Sequence, residues 1–155
     1  MPPDETPPPC TFCEILAGRL PSSQVYSDAD VVAFMDIRPA NRGHMLVVPR
    51  RHVARLEELD ERTGERVFAA AHRLSRAVYR SGLPCHGIDL FLADGEEAGQ
   101  EVFHVHLHVL PRFAGDGFKI SARWLHPDRA ELDETAATLR ESLAGITTST
   151  PVGLC

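Results

Sequence analysis

Apolar and polar residues alternate most strictly over residues 103–112, where Phe103, Val105, Leu107 and Val109 interleave with His104, His106 and His108. Period two is the side-chain repeat of a strand, so this segment is predicted to put three imidazoles on one face and four apolar side chains on the other. Residues 31–36 (VVAFMD) and 44–48 (HMLVV) read as an earlier pair of strands, closed by Pro39 and Pro49. The turn Ala40-Asn41-Arg42-Gly43 between them predicts antiparallel pairing. Val25 and Tyr26 predict a short strand after a helical turn around Ile15 and Leu16, and residues 88–92 predict a further strand. Val67, Ala70, Ala71, Leu74, Ala77 and Val78 recur at helical spacing. They form one face of a helix of about five turns. Asp60 caps it, and Gly82 and Pro84 end it. A last helix over about residues 130–143 carries Leu132, Ala136, Leu139 and Leu143 on one side. Flanking this domain (residues 10–143), residues 1–9 read as a disordered Pro-rich arm and residues 144–155 as a flexible tail.

At 155 residues the chain has a one-domain length, enough to bury a core. No apolar run approaches the roughly 18 residues of a membrane span, and the N-terminus has no basic-then-apolar signal pattern. A soluble cytoplasmic protein without a membrane partner is expected. The net charge of −6 argues against non-specific nucleic-acid binding. It leaves room for a small anionic ligand in a locally favourable pocket. Lys119 is the only lysine, so basic charge is carried by arginine, which suits bidentate phosphate contacts.

Successive imidazoles on one strand face stand roughly 6.5–7 Å apart. Zn–N bonds are about 2.0–2.1 Å, so neighbouring histidines of the row do not readily share one zinc. One can serve a metal while the next does chemistry; the plainer alternative is a solvent-facing strand surface. Cys10-Thr11-Phe12-Cys13 has the spacing of half a zinc site, with His52 and one histidine of the row as candidate partners. A redox pair or a chance spacing are the rivals. Cys85 and Cys155 have no partner spacing. The loop over residues 93–100 (ADGEEAGQ) leads into the histidine row, and its Gly95 and Gly99 would let backbone N–H groups approach a phosphate. His72 reads as a helix-surface residue, and Trp124 as a packing residue that can close over a neighbouring site.

The run His104-Val105-His106-Leu107-His108-Val109-Leu110, preceded by Gly99-Gln100, resembles the signature of the histidine triad (HIT) nucleotide-binding superfamily. Cys10-x-x-Cys13, Ala33-Phe34-Met35-Asp36-Ile37, Gly43-His44-Met45-Leu46-Val47-Val48-Pro49 and His52 agree with it. The resemblance covers about residues 10–143 and is closest to small bacterial, zinc-carrying members near the Hint branch. It implies an α+β fold: a five-stranded antiparallel sheet packed by one long helix, a C-terminal helix, and a homodimer that joins two sheets. It implies nucleotidyl hydrolase or transferase chemistry at an α-phosphorus, with purine nucleoside 5′-phosphoramidates or related nucleotidyl adducts as the first substrate reading. His106 would attack phosphorus and form a nucleotidyl-histidine, which water then hydrolyses.

By the same resemblance, His108 and His44 complete the catalytic group with His104 and hold a phosphate oxygen. Gly99, Gln100 and Glu101 lie on the phosphate side. Asp36 accepts the ribose hydroxyls, and Phe12, Ile15, Phe34, Ile37 and Leu46 line the base pocket. One structural zinc per chain is implied on Cys10, Cys13, His52 and His104, with no position left for water. Two positions depart from the commonest pattern: Glu101 stands where Ser or Thr is usual, and Ala93 where Asn is usual. A carboxylate at 101 works against an anionic substrate unless it turns away. The alternatives are a dinucleoside polyphosphate hydrolase or phosphorylase, and a nucleotide-binding regulatory protein with vestigial catalysis.

Overall fold

The computed structural model describes residues 9–146. The expected Pro-rich arm, apart from Pro9, and the tail beyond Ile146 with Cys155 lie outside the described residues. In chain order the elements are α1 (Thr11–Leu16), β1 (Gln24–Ser27), β2 (Val31–Met35), β3 (Met45–Pro49), α2 (Glu61–Arg80), β4 (Gly87–Phe91), β5 (Leu107–Arg112) and α3 (Arg129–Ala144). The strands form one antiparallel five-stranded sheet in the order β1-β2-β3-β5-β4.

β2 and β3 are apolar along their whole length because both faces of the sheet are covered there. They pair from Val31↔Pro49 to Met35↔Met45. On one face Val31, Ala33, Met45, Val47 and Val109 pack against Val67, Ala70, Ala71, Leu74 and Val78 of α2. On the other, Val32, Phe34, Leu46 and Val48 pack with Phe12 of α1. α2 is capped as its sequence requires, with the Asp60 carboxylate accepting from the Thr63 N–H at 2.9 Å. Such a cap stabilises by about 1 kcal/mol. Each large apolar side chain buried by α2 contributes about 1.5–3 kcal/mol, so burial, not capping, sets where the helix lies. Because α2 occupies one face, the side chains at even positions of β2, β3 and β5 are left to build the other.

β5 begins at Leu107, four residues later than the alternation predicts. The His104 N–H turns back to the Val102 carbonyl at 2.9 Å, and the Val105 N–H donates to Val53 at 2.8 Å. Those donors are spent outside the ladder, so pairing with β3 starts only at Val47↔Leu107. Of the three histidines only His108 stands in the sheet. The predicted single face of three imidazoles is therefore replaced by three differently aimed rings.

Contacts group the chain into two units that divide between Asp116 and Gly117. The sheet, α1 and α2 belong to the first. α3 lies in the second, with its first turn capped by Asp128, whose carboxylate accepts from the Glu131 N–H. None of its residues is buried, and Leu132, Leu139 and Leu143 on the predicted apolar side are exposed, as is Trp124. Among the described residues no helix is long and apolar enough to cross a membrane.

Candidate active site

The face of the sheet opposite α2 opens into a cavity of about 710 Å³. Its walls include Phe12 and Ile15 of α1, Phe34 of β2, Leu46 of β3 and the rings of His106 and His108. Asp36, Ile37 and Gly99 also line it, and Ile37 is 92% exposed at its mouth. The apolar residues expected to hold a base and the acid expected to meet a ribose thus surround the same space as two of the histidines. Phe12 is edge-on to the His106 ring at 5.1 Å and to Phe34 at 5.4 Å, which fixes one side of the imidazole.

Backbone groups decide which nitrogen of each ring carries the proton. His106 Nδ1 lies 2.7 Å from the His104 carbonyl, an acceptor, so Nδ1 donates and Nε2 keeps its lone pair. His104 Nε2 donates in the same way to the Pro49 carbonyl at 2.8 Å, leaving its Nδ1 bare. His44 runs the other way: its Nδ1 accepts from the Ala40 N–H at 3.1 Å, so Nε2 holds the proton and donates to His108 Nδ1 at 2.9 Å. His108 then carries its own proton on Nε2. The site therefore pairs a bare nitrogen on His106 with an N–H donor on the adjacent His108, ring centroids 4.9 Å apart.

Gly43 makes this relay possible. At φ +94° it takes a backbone conformation that L residues avoid, and an added Cβ would lie 3.1 Å from Pro111 Cγ. The loop it closes is pinned by buried Asn41, whose amide donates to the Pro111 carbonyl and to Asp116 at 2.9 Å each.

Burial pushes His108 down to about 4, helped by the neighbouring His106 and His44 and opposed by Asp36. Burial lowers His44 as well, again against Asp36. Both rings are thus neutral at pH 7, as the relay requires. The unfolded chain takes up a proton near pH 6.5, whereas folded His108 resists until about 4. The unfolded state binds more protons in that window, so stability is expected to fall as pH drops from 6.5 toward 4. Melting temperatures across that range should fall less steeply for His108→Asn than for the wild type; equal slopes would exclude His108 as a source.

Beneath the cavity, Cys10, Cys13, His52 and His104 bring four ligand atoms within 4.8 Å of one another. Cys10 Sγ and Cys13 Sγ lie 3.6 and 3.7 Å from the bare His104 Nδ1, and Cys13 Sγ lies 3.3 Å from His52 Nδ1. Sulfur and nitrogen on one tetrahedral zinc are about 3.6 Å apart, so the donor set fits that ion. A second cluster, Asp36, His44 and His108, does not fit as well. Its 2.9 Å nitrogen pair is a hydrogen bond, shorter than the about 3.3 Å between two nitrogens on one zinc. With Nδ1 facing the thiols and Nε2 bonded to Pro49, His104 has no nitrogen left for a substrate; its carbonyl, not its ring, serves His106.

Gln100 is also placed otherwise than expected. It is buried behind the wall, its Oε1 accepting from the Gly95 N–H at 2.7 Å and its Nε2 donating to the Ala54 and Val102 carbonyls. Part of the donor set of the loop it holds is spent internally. The N–H groups of Ala98, Gly99 and Gln100 bond to Gly95 and Glu96 carbonyls in a 3-10 turn. Residues passed over in the sequence also contribute. Phe91 of β4 stacks on His108 at 4.2 Å and 10°, because the two are register partners. Arg38 Nη2 donates to Glu101 Oε2 at 2.5 Å. Neither has a local signal, since each depends on a partner distant in the chain.

A family model described as HIT domain matches residues 17–115. The chain belongs to the HIT domain family. An uncharacterized HIT-like protein of Borreliella burgdorferi is 46% identical over 110 residues, 70% of this chain and 79% of that one. Among solved structures, a zinc-bound histidine triad family protein from Mycobacterium smegmatis matches with TM-score 0.69 and 37% identity, over 86% of this HIT chain and 97% of that one. A histidine triad nucleotide-binding protein from Candida albicans matches with TM-score 0.79 and 25% identity, covering 89% and 99%.

Proposed function

We propose that this HIT domain is a nucleotidyl hydrolase that cleaves purine nucleoside 5′-phosphoramidates or related adducts at the α-phosphorus. The observation that carries this is the tautomer pair in the cavity: His106 with a bare Nε2, beside His108 with an N–H. His106 Nε2 attacks phosphorus, the P–N bond breaks, and the nitrogen leaves with the electron pair and a proton from solvent. Positive charge developing on the His106 ring is stabilised by its Nδ1–H bond to the His104 carbonyl. His108 donates to a phosphoryl oxygen, and His44 acts through His108 as a positioning residue. Water then attacks the nucleotidyl-histidine, releasing the nucleoside monophosphate and a proton. Asp36 is assigned to the ribose hydroxyls, and the cavity's apolar wall of Phe12, Ile15, Phe34, Ile37 and Leu46 to the base.

Cys10, Cys13, His52 and His104 would hold one structural zinc, which supplies cross-linking and no reacting group. The M. smegmatis relative described as zinc-bound supports that assignment. Mixing the wild type with adenosine 5′-phosphoramidate is expected to release AMP, and rapid acid quenching to trap an adenylyl adduct by intact-protein mass spectrometry. Binding of AMP without turnover of the phosphoramidate would sink the enzyme reading in favour of nucleotide binding alone.

A further inference from the structure

The charged side chains on the cavity wall, histidines aside, are Asp36, Arg38 and Glu101 among the described residues. Arg38 is the only lysine or arginine there, and its guanidinium is already paired with Glu101. The pair joins two walls that are 63 residues apart in sequence. Arg38 follows β2, and its backbone N–H is held by Asp36 Oδ1 at 2.8 Å. Glu101 follows Gln100, whose side chain is locked by three hydrogen bonds behind the wall. Both charged side chains are more than 70% exposed, so they stand at the mouth and not on the floor.

We propose that Arg38 and Glu101 form a charge-paired clasp that selects the leaving group, admitting neutral or cationic amines and disfavouring leaving groups that continue as phosphate. This assignment rests on the hydrolase reading above. A single α-phosphate next to His106 and His108 is served by the His108 N–H and needs no further cation. Each additional phosphate brings negative charge to a mouth whose one guanidinium is committed and whose two carboxylates repel it. Taking Arg38 for the phosphate strips Glu101 of its partner; leaving the pair intact puts the phosphate beside a carboxylate. The exposed pair is itself weak. The selection comes from the committed guanidinium and the extra carboxylate among the described wall residues, a Coulombic effect of roughly ten-fold per added charge near a protein surface.

The test compares kcat/KM for adenosine 5′-phosphoramidate with that for diadenosine triphosphate, in the wild type, Glu101→Gln and Arg38→Gln. The chemistry at phosphorus is the same in both: a His106–P bond forms while a P–N bond or a P–O bond breaks. The leaving groups, ammonia and ADP, differ in size and leaving atom as well as in charge, so the charge effect is read from how the ratio changes between variants, where the other differences cancel. Glu101→Gln is expected to raise the ratio of polyphosphate to phosphoramidate turnover roughly ten-fold. The change should fall mainly on KM, since the extra phosphates are charged before any bond breaks. Arg38→Gln, which bares Glu101, is expected to lower the ratio, and added salt to compress both shifts. If Glu101→Gln slows both substrates equally, or leaves the ratio within two-fold, the clasp is structural and the proposal fails while the hydrolase reading stands. If the wild type turns over neither substrate, the hydrolase reading fails and the clasp with it.

Discussion

His106→Ala is expected to cut AMP release from adenosine 5′-phosphoramidate by roughly 10,000-fold or more, and to abolish the trapped adduct. The size of the effect follows from geometry. The Nδ1–H bond to the His104 carbonyl holds the ring in the one tautomer that leaves Nε2 bare, and Phe12 braces its edge. Among the wall residues, His108 cannot substitute: its Nδ1 is occupied by His44, and its other nitrogen carries a proton. AMP affinity should change by only a few-fold, because Phe34, Leu46 and Asp36, which line the same cavity, are untouched. A melting temperature within a few degrees of wild type would show that the variant folds. Retained turnover, or an adduct of undiminished yield, would assign the nucleophile elsewhere.

Cys10→Ser is expected to remove about one zinc per chain and to lower the melting temperature by about 10 °C or more. Three segments meet at the cluster: the start of α1, the loop after β3 carrying His52, and the turn before β5 carrying His104. Cross-linking them removes chain entropy that the small α1 contacts alone do not recover. Burial, together with the neighbouring Cys10 thiol, pushes the Cys13 thiol up. Zinc must therefore displace protons, and its affinity should fall as pH falls. The loss should reach the cavity too, since Phe12 sits between the two cysteines and packs on His106. AMP binding is expected to weaken alongside stability. Elemental analysis that finds the wild type metal-free and equally stable would remove the zinc assignment and leave the cavity intact.

The α2 face, its Asp60 cap, and β2 and β3 were legible because each writes a short-range period or a stop signal into consecutive residues. The cluster of Cys10, Cys13, His52 and His104 was legible through the family resemblance: spacing alone pointed to the two cysteines but left their partners open. The histidine row misled at the level of faces. Its alternation is real, but alternation reports side-chain direction only while the backbone stays in a ladder, and the ladder starts at Leu107. Gln100 and Glu101 illustrate the same limit: adjacent in sequence, one is sealed behind the wall and the other reaches across the mouth.

The sequence by itself determined the family, the sheet-and-helix architecture and the residue types of the candidate site, since periodicity, turn residues and motif spacing are properties of neighbouring positions. Only the tertiary structure decided which nitrogen each imidazole presents, that Phe91 stacks on His108, and that Arg38 closes on Glu101. Those outcomes hang on strand register and on which backbone carbonyl lies opposite a ring. The Arg38–Glu101 and His44–His108 contacts join segments 63 and 64 residues apart, and even the short-range bond from His106 to the His104 carbonyl depends on the backbone leaving the ladder there, so no local pattern records them.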